Sequence, residues 1–194
     1  MDKKQLLEKL NEKMLACSKC ALRATCQKVV PGEGSADAKI LFIGEGPGKK
    51  EDELGRPFVG SAGKFLDEML RTIKLKREDI YIANIVKCRP PENRDPLPAE
   101  ALACWPWLLE QINIIQPKLI VTLGRHSMER FLPGKIISQM HGTLVIKTIP
   151  EIGKQNFYTL YHPAAALYNG GMRKTLIKDF KKIPKVLEKI KDKK

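Results

Sequence analysis

Residues 39–52 read KILFIGEGPGKKED, a short apolar run that passes without a break into a glycine-rich turn and then into charge. Ile40, Phe42 and Ile43 are β-branched or aromatic, so the run predicts a strand buried on both faces. Three further stretches share the form: 80–86 (IYIANIV), 118–124 (KLIVTLG) and 156–161 (NFYTLY). Between and around them, segments 61–73, 98–115, 125–131 and 174–190 carry helical periodicity, and 1–15 reads as a charged amphipathic helix. A short fifth strand is possible at 143–148. Strands alternating with helices imply an α/β fold around a mostly parallel sheet. With no internal repeat, linker or break in composition, 194 residues suit a single domain spanning 1–194, its basic tail beginning near residue 185.

In such sheets ligands gather beyond the carboxyl ends of the strands, and here each end is polar. The first strand meets Glu45, Gly46, Glu51 and Asp52; the second reaches Asn84 and then Lys87-Cys88-Arg89; the third meets Arg125-His126-Ser127; the fourth ends at His162-Pro163. The glycine turn fits neither a P-loop nor a dinucleotide fingerprint, because Gly63-Lys64 is followed by Phe65 and Pro47 interrupts the helix start. On its own, Phe58 reads as core, Asn84 as a turn cap and His162 as structural. Their convergence on one edge favours a ligand site. There an aromatic face could stack a planar ligand, and a side-chain amide could read a base edge.

Charge narrows the class of partner. Thirty-five Lys/Arg against 22 Asp/Glu give +13, and residues 173–194 hold ten Lys/Arg against Asp179, Glu188 and Asp192, a net +7. Such a balance points to a polyanion, nucleic acid or an anionic membrane, with salt-sensitive binding. Pro184 and the scarcity of aromatics in the tail weaken the membrane reading. No apolar run is long enough to span a bilayer, and the charged amino terminus is unlike a secretory signal, which predicts a protein of the cytosol, or of a nucleus or organelle reached by another signal. Richness in Lys, Glu and Ile hints at a thermophile. The five cysteines are 17, 20, 26, 88 and 104. Cys17-x-x-Cys20 with Cys88 and Cys104 suits one four-thiolate metal site with Cys26 left over, and spacing alone does not separate zinc from an iron–sulfur cluster.

In order along the chain stand Cys17-x-x-Cys20, VPGEG (30–34), GEGPG (44–48), GRPFVGSAG (55–63), Asn84-x-x-Lys87-Cys88-Arg89-Pro90-Pro91 and His162-Pro163-Ala164. Together, over about residues 10–180, they resemble the family 4 uracil-DNA glycosylases of bacteria and archaea, enzymes with a [4Fe-4S] cluster. The resemblance implies a three-layer α/β/α sandwich with a central four-stranded, mostly parallel sheet. It also implies a prokaryotic, cytoplasmic monomer that hydrolyses the N-glycosidic bond of uracil in single- or double-stranded DNA, with a sliding clamp as a possible partner. Carried over, Cys17, Cys20, Cys88 and Cys104 would hold the cluster. Gly46, Glu51, Phe58, Asn84 and His162 would bind uracil, Phe58 by stacking and Asn84 through the Watson–Crick edge. Glu51 would obstruct a thymine methyl. Glu45 and His162 would be catalytic, Glu45 activating water or stabilising charge and His162 donating to uracil O2, neutral or charged. Leu167, Tyr168, Met172, Arg173 and Lys174 would meet DNA, a wedge filling the vacated stack. Cys26 and the glycine of GEGPG are small departures from the family pattern. The alternative is a metal-bearing nucleic-acid-binding module without catalysis, and a third reading is a glycosylase of wider lesion range.

Overall fold

Ile40 and Phe42 pack into one hydrophobic cluster while Leu41 and Ile43 pack into another, so a single strand divides the protein into two cores. This is the two-residue alternation of a strand covered on both faces. In the computed structural model, residues 1–191 are described; 192–194, the end of the expected basic tail, lie outside them.

The chain runs α1 (Lys3–Leu15), α2 (Leu22–Thr25), β1 (Glu33–Gly34), β2 (Ile40–Gly44), α3 (Lys49–Leu54), α4 (Ser61–Thr72), β3 (Tyr81–Asn84) and α5 (Pro98–Ile115). It continues through β4 (Leu119–Leu123), α6 (Arg125–Phe131), α7 (Ile137–Met140), β5 (Leu144–Ile149), β6 (Gly153–Leu160), α8 (Gly170–Phe180) and α9 (Ile183–Lys191). One sheet has the order β1-β3-β2-β4-β6-β5. Its inner four strands are parallel, and β1 and β5 pair antiparallel at the edges. The four expected strands are therefore the parallel centre. The 143–148 strand exists as β5, and β1 is an addition that the sequence pattern does not reveal.

Helices α1, α5 and α6 cover the face carrying Leu41, Ile43 and Ile120, and α4, α8 and α9 cover the face carrying Phe42, Val121 and Tyr158. The result is three layers. Asp2 starts α1: its carboxylate accepts the Gln5 N–H (2.8 Å) while the Gln5 side chain accepts the Asp2 N–H (3.2 Å), which satisfies two otherwise orphaned donors.

The helix expected over 174–190 is instead two, α8 and α9, which break at 181–182. Pro184 is the second residue of α9, where its missing N–H has no intrahelical partner to lose; within a continuous helix the same ring would clash with the preceding turn. The break turns Ile183 and Val186 into the core behind Phe180.

Phe42 and Phe180 are both fully buried and stack with centroids 5.6 Å apart. Phe42→Ala should lower the unfolding free energy by about 3–5 kcal/mol in a denaturant titration.

Candidate active site and thiol centre

Register puts Gly44 directly beside Asn84 across β2 and β3. A Cβ on Gly44 would lie 2.4 Å from Asn84 Oδ1 and 2.8 Å from the Phe58 ring, so only glycine lets strand, amide and ring close together. They line a cavity of ≈ 370 Å³ whose walls also include Glu45, Gly46, Glu51 and His162. All six ligand-site residues expected from the sequence thus meet in one pocket. Asn84 is 1% exposed, and its side-chain carbonyl has no hydrogen-bond partner among the described residues. A buried carbonyl in that condition costs about 1–3 kcal/mol, a cost that a donor on a bound ligand would remove.

The loop that carries Phe58 is held from three directions. Phe58 itself sits at φ 51, an uncommon conformation for an aromatic residue that persists only where neighbours enforce it. Arg77 donates to the carbonyls of Pro57 (2.9 Å) and Phe58, and pairs with Asp67 at 2.6 Å. Glu51 Oε1 accepts the N–H groups of Val59 and Gly60, each at 2.8 Å, so this carboxylate anchors the loop as well as lining the pocket. Beneath the loop, a Cβ on Gly63 would fall 1.7 Å from the Phe58 carbonyl oxygen.

His162 faces Phe58 with ring centroids 5.6 Å apart and a tilt of 34°. Its Nδ1 accepts the Ala164 N–H at 3.2 Å. In the neutral ring the proton therefore sits on Nε2. Burial pushes the imidazole pKa down to about 4, against the opposing pull of the Glu51 charge. At neutral pH His162 is an uncharged N–H donor.

Glu45 stands at the mouth beside His126 and Arg125, which the sequence placed on this edge, and Asp95, which it did not. His126 Nε2 lies 3.9 Å from Glu45 Oε1 and 3.1 Å from Asp95 Oδ2, and Arg125 reaches Asp95 at 3.3 Å. Burial raises the Glu45 pKa; His126 opposes the rise, Asp95 adds to it and Arg125 opposes it. The position of His126 at a strand end was the available signal. Asp95, thirty-one residues away on another loop, gave none.

Past His162, Tyr168 is 92% exposed and Leu167 is exposed beside it. Lys174 is exposed and Met172 half-buried. Arg173 donates to Glu68 at 2.6 Å and lies 4.3 Å over the Phe65 ring.

Cys17, Cys20, Cys88 and Cys104 line a second pocket, between α1, the β3 end and α5. Cys26 is buried next to Cys88 without lining it. Trp107 donates its indole N–H to Cys17 Sγ and Lys87 its backbone N–H to Cys104 Sγ, both at 3.3 Å. Burial pushes the Cys88 and Cys104 thiols up. Binding them as thiolates therefore calls for a cationic group, and four thiols lining one pocket, two of them already receiving N–H donors, fit a metal centre.

The family model for the uracil DNA glycosylase superfamily matches residues 31–191. The chain belongs to this superfamily, in its type-4 branch. A type-4 uracil-DNA glycosylase of Sulfurisphaera tokodaii is 47% identical over 91% of this chain and 83% of its own length. One from Thermotoga maritima is 41% identical over 96% and 97%, and one from Archaeoglobus fulgidus 43% identical over 91% of each. The three-layer sandwich around parallel strands is the superfamily's fold.

Two outcomes test this geometry. Gly63→Ala should lose roughly 1–3 kcal/mol or more in a denaturant titration, the scale of overpacking against backbone. An NMR titration should find the His162 ring neutral from pH 8 down to about pH 4, with Nε2 carrying the proton.

Proposed function

We propose that this chain excises uracil from DNA by hydrolysing its N-glycosidic bond, leaving an abasic site. The observation that carries the reading is the unpartnered, buried Asn84 carbonyl in a pocket also lined by Phe58 and His162. Uracil offers an N3–H to that carbonyl, and its O4 can take the amide N–H₂ of the same side chain. Cytosine has an acceptor at N3 and a donor at C4, so it leaves both halves of the amide mismatched, a penalty of the kind that separates substrates strongly.

The base must leave the stack, at a cost of a few kcal/mol. Stacking on Phe58 returns roughly 1–3 kcal/mol of this, and exposed Tyr168 and Leu167 are suited to fill the gap. Breaking C1′–N1 sends the bonding electron pair into the uracil ring, where charge gathers on O2, while the sugar becomes oxocarbenium-like. The neutral His162 Nε2–H donates to O2, an interaction that strengthens as the charge grows. A water then adds its oxygen to C1′ and passes a proton toward Glu45, completing the abasic sugar. Glu51 restrains the Phe58 loop and narrows the pocket floor. Lys174 and the basic segment around it contact phosphates, so binding weakens with salt.

Cys17, Cys20, Cys88 and Cys104 hold a [4Fe-4S] cluster in this reading. An all-cysteine set lining one pocket suits either zinc or a cluster, and the resemblance to family 4 favours the cluster. Bound there, the cluster would supply a covalent clasp between α1, the β3 end and α5.

Asn84→Asp and His162→Ala should each lower single-turnover release of uracil from a labelled oligonucleotide, read after alkali cleavage, by at least about 100-fold, with folding retained. Excision by wild-type chain should fall as pH drops through the raised Glu45 pKa, because the base form is lost, and Glu45→Gln should flatten that limb. A wild-type chain that binds uracil-containing DNA and leaves it uncut would instead support the non-catalytic module.

A further inference from the structure

Lys87 is 2% exposed, one of the largest fully buried side chains. Its ammonium donates to the Asn84 backbone carbonyl (3.0 Å) and to Gln111 Oε1 (2.7 Å), both neutral. None of the ion pairs among the described residues includes it. A buried cation without a counter-charge costs several kcal/mol, so the arrangement calls for an anion. The neighbouring group able to carry negative charge is Cys104, whose sulfur accepts the Lys87 backbone N–H at 3.3 Å. Gln111 is itself fixed, donating to the Pro31 carbonyl (2.9 Å) and the Tyr81 hydroxyl (3.2 Å), so it holds the ammonium in place.

We propose that Lys87 is a positioning residue, the buried counter-charge of the four-thiolate centre, and that it ties that centre to the backbone of the base-reading Asn84. The proposal rests on the reading of Cys17, Cys20, Cys88 and Cys104 as a metal site. Four thiolates on a [4Fe-4S]²⁺ cluster or on zinc carry a net charge of about −2. That charge sits in a medium where one fixed cation matters far more than in water. The Lys87 backbone N–H meets the centre at Cys104, the charge of its ammonium acts on the same sulfur, and the ammonium grips the strand end through the Asn84 carbonyl. Loss of the metal would leave it uncompensated and so disturb the carbonyl it holds.

The experiment compares wild-type holoprotein with Lys87→Met, which keeps the volume and removes the charge, and with Gln111→Glu, which sets a carboxylate on the ammonium and cancels its field. Metal release into excess EDTA is followed by metal analysis and visible absorption. For an iron–sulfur protein the cluster's midpoint potential is measured as well. Lys87→Met should release metal roughly 10–100-fold faster, the scale of losing a group that supports metal ligands. Its potential should become more negative, because the reduced, more anionic cluster loses its cation. Gln111→Glu should shift both in the same direction, and it decides the matter if the Met variant does not fold. Wild-type release and an unchanged potential in the variants that fold would overturn the proposal. A colourless wild type holding zinc would refute the iron–sulfur reading instead, and the release comparison would then judge Lys87 on zinc.

Discussion

Parallel pairing of β2 on both its edges is the constraint from which the site follows. Because β3 and β4 run the same way as β2, and β6 the same way as β4, four strand ends and their loops open on one edge of the sheet. Had any one of them been antiparallel, its polar loop would lie on the opposite edge. The register then sets Gly44 against Asn84, and the missing side chain at 44 brings the amide and the Phe58 ring into contact distance. The apolar interior of β2 and the glycine that ends it are one design: burial fixes the strand and the glycine opens the pocket.

The second consequence is economy of length. From Asn84 to Cys88 the chain advances only four residues, yet the first belongs to the pocket and the last to the thiol centre. Lys87 lies between them, and the Asp52 carboxylate, which accepts the Gln27 N–H at 2.9 Å, ties the segment after Cys20 to α3 behind the glycine turn. The two centres are therefore parts of one wall.

Much of this was legible in the residues. Helices 98–115 and 125–131 begin and end where their signals stand, a proline at the first turn of one and a glycine before the other. Glu45, Gly46, Asn84 and His162 were legible because each lies in or just past a strand whose apolar run announces where it stops, whereas Glu51 in α3 and Phe58 in the loop beyond it were legible from the motifs around them. Elements with exposed outer halves were harder: β5 and the start of β6 face solvent on much of their length, so no continuous apolar run marks them. Two-residue β1 has no pattern to show. Pairings across loops were invisible for another reason. Asp95 with His126, Arg77 with the Phe58 carbonyl and Lys87 with Gln111 join positions 19 to 31 residues apart, and only the folded backbone says which loops meet. Arg173 is a further case: expected to meet DNA, it lies in α8 with Glu68, 105 residues away in the chain, beside it.

The restraints on Phe58 bear on when the ordering of the pocket takes place. Its unusual backbone angle is enforced by Arg77, Glu51 and the bare surface of Gly63, none of which needs a ligand present. The conformational entropy of that loop is thus surrendered during folding rather than at the encounter with a base. In the proposed reading a visiting nucleotide would find a rigid stacking face, and its binding energy would be left for rotating out of the helix. Rigidity here works as a timing device, moving disorder out of the recognition step and into the birth of the protein.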